Sequence, residues 1–135
     1  MLINTKFIPA RILESVSGKP GVYLVGGTVR DHLLNRDTAD WDLVVESDAP
    51  ALARAIAAAC GRRVVVMGKD PLRAHRIAAC FGNIDVAEIQ GKTIEEDLLR
   101  RDFTINAMAL DLATGRLVDP AGGQRDLAGQ IIRAT

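Results

Sequence analysis

The chain has 135 residues, 48% of them hydrophobic and 25% charged, which describes one globular domain whose core needs no disulfide staples. Seventeen Lys and Arg balance seventeen Asp and Glu, so bulk charge gives no argument for nucleic-acid binding. Any RNA contact has to come from a local patch or from parts of the protein beyond these residues.

Cysteine usage and the N-terminus narrow the setting. Cys60 and Cys80 form no CxxC pair and have no His at metal spacing, so they read as free thiols in a reducing compartment. MLINTKFIPARIL lacks the apolar core and cleavage site of a signal peptide. The longest apolar run, Ala49–Cys60, is too short to span a bilayer and contains Arg54. The expectation is a cytoplasmic protein with no membrane contact.

In chain order, Pro9 opens a short helix through Ile12, Leu13 and Val16 that closes near Gly18. Gly21–Val25 reads as a first strand, and Gly26-Gly27 as a turn that lets the backbone approach a ligand closely. The helix from Thr28 turns free backbone N–H groups toward that turn, and Arg30 in its first turn can add a charge-assisted hydrogen bond to a phosphate. Val29 and Leu33 supply its apolar stripe. After the polar connection from Asn35 to Ala39, the strand Trp41–Val45 follows, with Asp40 and Asp42 on one face and Trp41 and Leu43 on the other. Two carboxylates so close repel each other. A divalent cation with a taste for hard oxygen ligands, such as magnesium, removes the conflict. A Gly-Gly is commonly a mere turn and an Asp-x-Asp a solvated strand end; together at this spacing they describe a site for a nucleoside triphosphate.

Asp48 and Pro50 start a helix that ends at Gly61, and Arg63–Met67 is a third strand. Gly68–Arg73 reads as an exposed loop. His75–Phe81 and Ile84–Ile89 read as a hairpin turning at Gly82-Asn83. If Ile84 and Val86 face the core, Asp85 joins Asp40 and Asp42 on the open face as a third carboxylate; the plain alternative is a solvated Asp on an edge strand. Thr93 and Glu96 form a capping box for a helix running to Arg101. Ala107–Leu112 and Leu117–Asp119 look like a closing strand pair, Gln124–Ala128 a helical turn, and Ile131–Arg133 a last strand. His32 and His75 take no catalytic role. The expected fold is α+β: a mixed sheet of about five strands, with helices on the face opposite the carboxylates.

The stretches GGTVRDHLL, DTADWDLVV, RRDFTINAMAL and DPAGGQRDLAGQIIRAT resemble the head domain of the CCA-adding enzymes and the related bacterial poly(A) polymerases, within the polymerase-beta-like nucleotidyltransferase superfamily. The likeness covers roughly residues 20 to 135. It implies a single nucleotidyltransferase head over residues 1–135, with the neck, body and tail domains of the family absent, and the neck expected to begin about where Thr135 stands. It also implies that Asp40, Asp42 and Asp85 are catalytic metal ligands for two magnesium ions, and that Gly26, Gly27 and Arg30 hold the triphosphate. Carried over by position, Arg101 lies on the phosphates, with Asp102 and Asn106 near the ribose; the bland account of these three is an Arg at a helix end and two turn residues. The chain departs from the family at Glu88-Ile89-Gln90, where relatives usually carry Thr-Phe-Arg, so one contact of the usual site is missing.

The implied activity is template-independent transfer of CMP or AMP from CTP or ATP to an RNA 3′-hydroxyl, a tRNA end or a poly(A) tail, with the RNA gripped by the absent domains. Two alternatives stand beside it: a nucleotidyltransferase with a non-RNA acceptor, and a catalytically silent nucleotide-binding module. A Rossmann-type dinucleotide site is disfavoured, because the turn lacks a third glycine and the acidic residues come as a pair.

Overall fold

The computed structural model describes residues 1–135 as one seven-stranded mixed sheet with helices on both faces. Its elements in chain order are α1 (Ala10–Val16), β1 (Val22–Val25), α2 (Gly27–Leu33), β2 (Asp40–Val45), α3 (Ala49–Cys60), β3 (Val64–Met67), β4 (Ala74–Ala79), β5 (Gly82–Glu88), α4 (Ile94–Leu99), β6 (Ala109–Asp111), β7 (Leu117–Val118) and α5 (Gly123–Ala128). The strand order is β3-β4-β5-β2-β1-β6-β7. Strands β2 and β5 run parallel at the centre, joined by a crossover through α3, β3 and β4; every other neighbouring pair is antiparallel.

Strand alternation divides the residues between the faces. Trp41, Leu43 and Val45 of β2, with Val22 and Leu24 of β1 and Ile84 and Val86 of β5, pack against Ile12 and Val16 of α1 and Leu52 and Ile56 of α3 in a core of 20 buried residues. Helix α3 is held at its start by Asp48, whose Oδ1 accepts the Ala51 amide at 3.2 Å, and at its end by Gly61 in the left-handed region at φ 65°.

Two expectations are corrected here. The sheet has seven strands rather than about five, because the closing pair expected near Ala107–Leu112 and Leu117–Asp119 joins the same sheet as β6, beside β1, and β7, at its edge. Nor do the helices keep to one face. Helix α4 lies on the carboxylate face, where Ile94 and Leu98 pack with Tyr23, Val25, Val44, Ala107 and Ala109 in a second core of 7 buried residues. Leu98 is fully buried there, stabilising the contact by about 2 kcal/mol. The acidic face is thus roofed over β1 and left open over β5 and the start of β2.

Two details of the chain path also differ. Ala79 pairs with Gly82, so the hairpin turns at Cys80-Phe81 and Gly82-Asn83 belong to β5. Gly82, at φ +134°, is required where it stands: a Cβ would collide with the Ala39 carbonyl, and that carbonyl accepts the Asn83 amide at 3.0 Å. Residues 131–133 form no strand; a single bridge joins Phe103 to Ala134, and the Arg133 carbonyl accepts the Thr104 amide at 2.9 Å. Cys60 is half-buried and Cys80 exposed, neither in a disulfide. No helix is long and apolar enough to cross a membrane.

Candidate active site

One row of residues crosses the open face from edge to edge: Val65, Arg76, Asp85, Asp42, Val25, Ala109 and Val118 are successive register partners. Asp85 therefore stands directly opposite Asp42 on the neighbouring strand, at the sheet spacing of about 4.8 Å between backbones. Asp40 lies two residues before Asp42 on the same face, exposed at the strand's start. The three acids named from the sequence come together on adjacent central strands.

The Gly-Gly turn reaches the same place. Gly26 takes φ 74° and ψ −143°, a conformation that suits glycine alone. A Cβ built on Gly26 would lie 3.8 Å from Asp42 Oδ2 and 3.8 Å from Arg101 Nη1, so the turn, the acid and the arginine share one corner. Helix α2 begins there, its Val29 and Arg30 amides donating to the Gly26 carbonyl at 3.1 and 3.3 Å. Thr28, buried at 3% exposure, donates its hydroxyl to the Asp40 carbonyl at 2.7 Å and so ties the helix start to the acid strand.

Two guanidinium groups are braced around the turn. Arg30 donates Nη1 to Asn106 Oδ1 at 2.8 Å and Nε to Asp31 Oδ1 at 3.1 Å, which lays the guanidinium across Gly27. Arg101 donates Nε and Nη2 to Asp97 Oδ1 at 3.2 and 3.0 Å. Asp97 is itself buried at 3% exposure and takes the Gln90 amide on Oδ2 at 2.7 Å. Gln90 donates its side-chain amide to the Pro71 carbonyl, so this side chain is spent on holding the 68–73 loop. Asn106 thus serves as a brace for Arg30, and Asp102 is exposed, with its carbonyl accepting the Thr135 amide at 3.2 Å. His32 stacks on Phe7 with centroids 3.6 Å apart, and His75 is buried on the opposite, apolar face.

Electrostatics at the acids decide what they can hold. Burial pushes the Asp42 carboxyl above its ordinary value of 3.8, the Asp85 and Asp40 charges push the same way, and Arg101 and Arg76 only partly oppose them. Neither Asp40 nor Asp42 has a side-chain hydrogen-bond donor facing it. Asp85 does: Arg76 Nε and Nη2 donate to its two oxygens at 2.8 and 2.9 Å. Although the three acids lie on adjacent strands, no three His, Cys, Asp or Glu side chains converge as a ready-made ion site. The donor set still fits a hard divalent cation, because half-buried carboxylate oxygens in mutual repulsion are relieved by one.

Two contributors escaped the sequence reading. Asp97 had a signal, its i, i+4 spacing to Arg101 on a helix. Arg76 had one in the hairpin register, but a turn placed at Gly82-Asn83 sets Asp85 opposite Cys80. The observed turn sets it opposite Arg76.

Comparison with known proteins agrees with this geometry. The sequence model described as the Poly A polymerase head domain matches residues 22–133. A CC-adding tRNA nucleotidyltransferase of Geobacter sulfurreducens is 43% identical over 115 residues, 84% of this chain and 27% of that protein. A multifunctional CCA protein of Stenotrophomonas maltophilia is 43% identical over 121 residues, 83% of this chain and 30% of that protein. Among solved structures, the Thermotoga maritima CCA-adding enzyme complexed with tRNA superposes with a TM-score of 0.79 at 38% identity, over 92% of this chain and 31% of that one. The chain thus spans about a third or less of these relatives' lengths. On its sequence match and on its sheet alike, it belongs to the poly(A) polymerase head-domain family.

Proposed function

We propose that this chain is the catalytic head of a template-independent nucleotidyltransferase, moving CMP or AMP from CTP or ATP onto the 3′-hydroxyl of RNA, foremost a tRNA end. The observation that carries the reading is the meeting of Asp42, Asp85 and Asp40 with the Gly26 turn and Arg101 at one open corner of the sheet. Relatives solved with tRNA, with CTP and with an ATP analogue support the choice of substrates.

Each group has a physical task. Gly26 and Gly27, without side chains, admit a polyphosphate against the backbone. Arg30, steadied by Asn106 and Asp31, and Arg101, steadied by Asp97, present charge to the phosphates with little ordering left to do. Asp102 lies beside Arg101 at the rim, within the segment assigned to the sugar. Asp40, Asp42 and Asp85 would hold two magnesium ions, which supply activation of the attacking hydroxyl and neutralisation of the leaving pyrophosphate. Thr28 keeps the acid strand and the phosphate turn in register through the Asp40 carbonyl.

An acceptor screen tests the reading. The chain is incubated with magnesium and α-phosphate-labelled CTP or ATP, and with tRNA lacking its 3′ end, other RNAs, proteins or small hydroxyl compounds. Label in the trimmed tRNA is the expected result. Label confined to a protein or small molecule would overturn the RNA assignment. Magnesium-dependent nucleotide binding without transfer even to an RNA 3′ end supplied at high concentration, which replaces the grip of further domains by mass action, would favour a silent binding module.

A further inference from the structure

The acid row carries one feature that the transfer reading does not use. Asp85 stands between Arg76 on β4 and Asp42 on β2, a cation on one flank and an anion on the other. Both of its oxygens are taken by the guanidinium fork, at 2.8 and 2.9 Å, in the bidentate geometry that makes arginine–carboxylate pairs strong and directional. Asp40 and Asp42 have no such partner. With each oxygen already accepting an N–H from the guanidinium fork, Asp85 is held turned toward β4 and has only its remaining lone pairs for an ion shared with Asp42, which makes it a poorer ligand until the fork lets go.

We propose that Arg76 is a positioning residue that serves as the counter-cation of the third carboxylate when no metal is bound, and that it releases Asp85 when a divalent ion binds. The proposal rests on the metal-dependent reading above. Without metal the pair satisfies Asp85 and softens its repulsion with Asp42. On ion binding, Asp85 turns toward Asp40 and Asp42 while the guanidinium swings toward β3, the open edge of the sheet, where Val65 is 58% exposed. The pair is weak enough to yield. The Arg76 side chain is 37% and the Asp85 side chain 25% exposed, and partly solvated ion pairs are modest in energy. Release gives up two hydrogen bonds and no covalent bond, so the latch lowers the ion affinity without abolishing it.

Two direct readouts on the chain test this. The first is Mn2+ titration followed by electron paramagnetic resonance, on wild type, R76K, R76M, D42N and D85N. R76K keeps the charge but loses the fork, so tighter binding in both R76K and R76M, by about fivefold, is the expected result. Equal Mn2+ affinity in wild type and R76K would overturn the latch. The second is the Arg76 Nε–H resonance, expected to be protected in the metal-free chain and to shift or exchange away at saturating Mg2+; a resonance unmoved by Mg2+ also overturns it. Binding that depends on Asp42 and Asp85 but is indifferent to Arg76 removes the latch alone. Binding indifferent to all three residues removes the metal reading with it.

Discussion

Thr28 and Asp40, twelve positions apart in sequence, are joined by a 2.7 Å hydrogen bond from hydroxyl to carbonyl, which locks the first turn of α2 to the first residue of the acid strand. Thr28 is buried, so its hydroxyl has no water to turn to. T28V should therefore cost about 1–2 kcal/mol of stability and weaken nucleotide binding, whereas T28S keeps the hydroxyl and should stay near wild type. Urea unfolding alongside ATP titration checks both halves of the expectation.

Asp42 should show the opposite sign. Its carboxyl is raised by burial and by the neighbouring acids, so without metal the folded state binds the proton more tightly than the unfolded state. Stability at this residue thus falls as pH rises from 3.8 through the raised value. D42N should melt no lower than wild type at neutral pH in chelator, with the difference shrinking as pH is lowered, and should abolish transfer. A loss of folding in D42N would count against its role as a metal ligand.

At Gly82 the constraint is steric. Any side chain meets the Ala39 carbonyl, just ahead of Asp40, and a φ of +134° is strained for an L-residue in any case. G82A is expected to lose about 2–4 kcal/mol in urea unfolding. Since the displaced segment leads into Asp40, nucleotide binding should fall too.

Asp126 supplies a second pH signature. It is fully buried, and its Oδ2 accepts the Thr104 hydroxyl at 2.7 Å and Arg133 Nε at 3.1 Å. The Thr104 bond, then Arg133, hold its carboxyl below the ordinary 3.8 against the cost of burial. A depressed carboxyl stabilises the fold above the unfolded value and loses that contribution as pH falls through the folded one. Wild type should therefore lose stability below pH 3.8 through this group, and D126N should start less stable and flatten that limb. Thermal melts across acid pH read the slope directly.

What the sequence made legible was mostly alternation. Trp41, Leu43 and Val45 announce the core face of β2, and Ile84 with Val86 does so for β5, which suffices to set Asp85 on the side of Asp42. Placing the hairpin turn two residues late left that face unchanged, because an even shift preserves it, but it hid Arg76 from Asp85. The closing pair β6 and β7 was legible as strands, but runs of three and two residues carry too little period to say that they extend the same sheet beside β1. The amphipathic pattern of α4 fixes which side of the helix is apolar and says nothing of which sheet face it meets. The Arg30–Asn106 brace joins residues 76 positions apart, a distance that only the folded chain closes.

The central claim is that a divalent cation on the acid row is what lets the Gly26 corner hold a nucleoside triphosphate. Titration of CTP and ATP into the 135-residue chain, with magnesium and again in chelator, for wild type and D42N, tests it most directly. The account predicts weak binding with little preference between the bases, present with magnesium, lost in chelator and lost in D42N. Binding of equal strength in chelator, or undiminished in D42N, would contradict it.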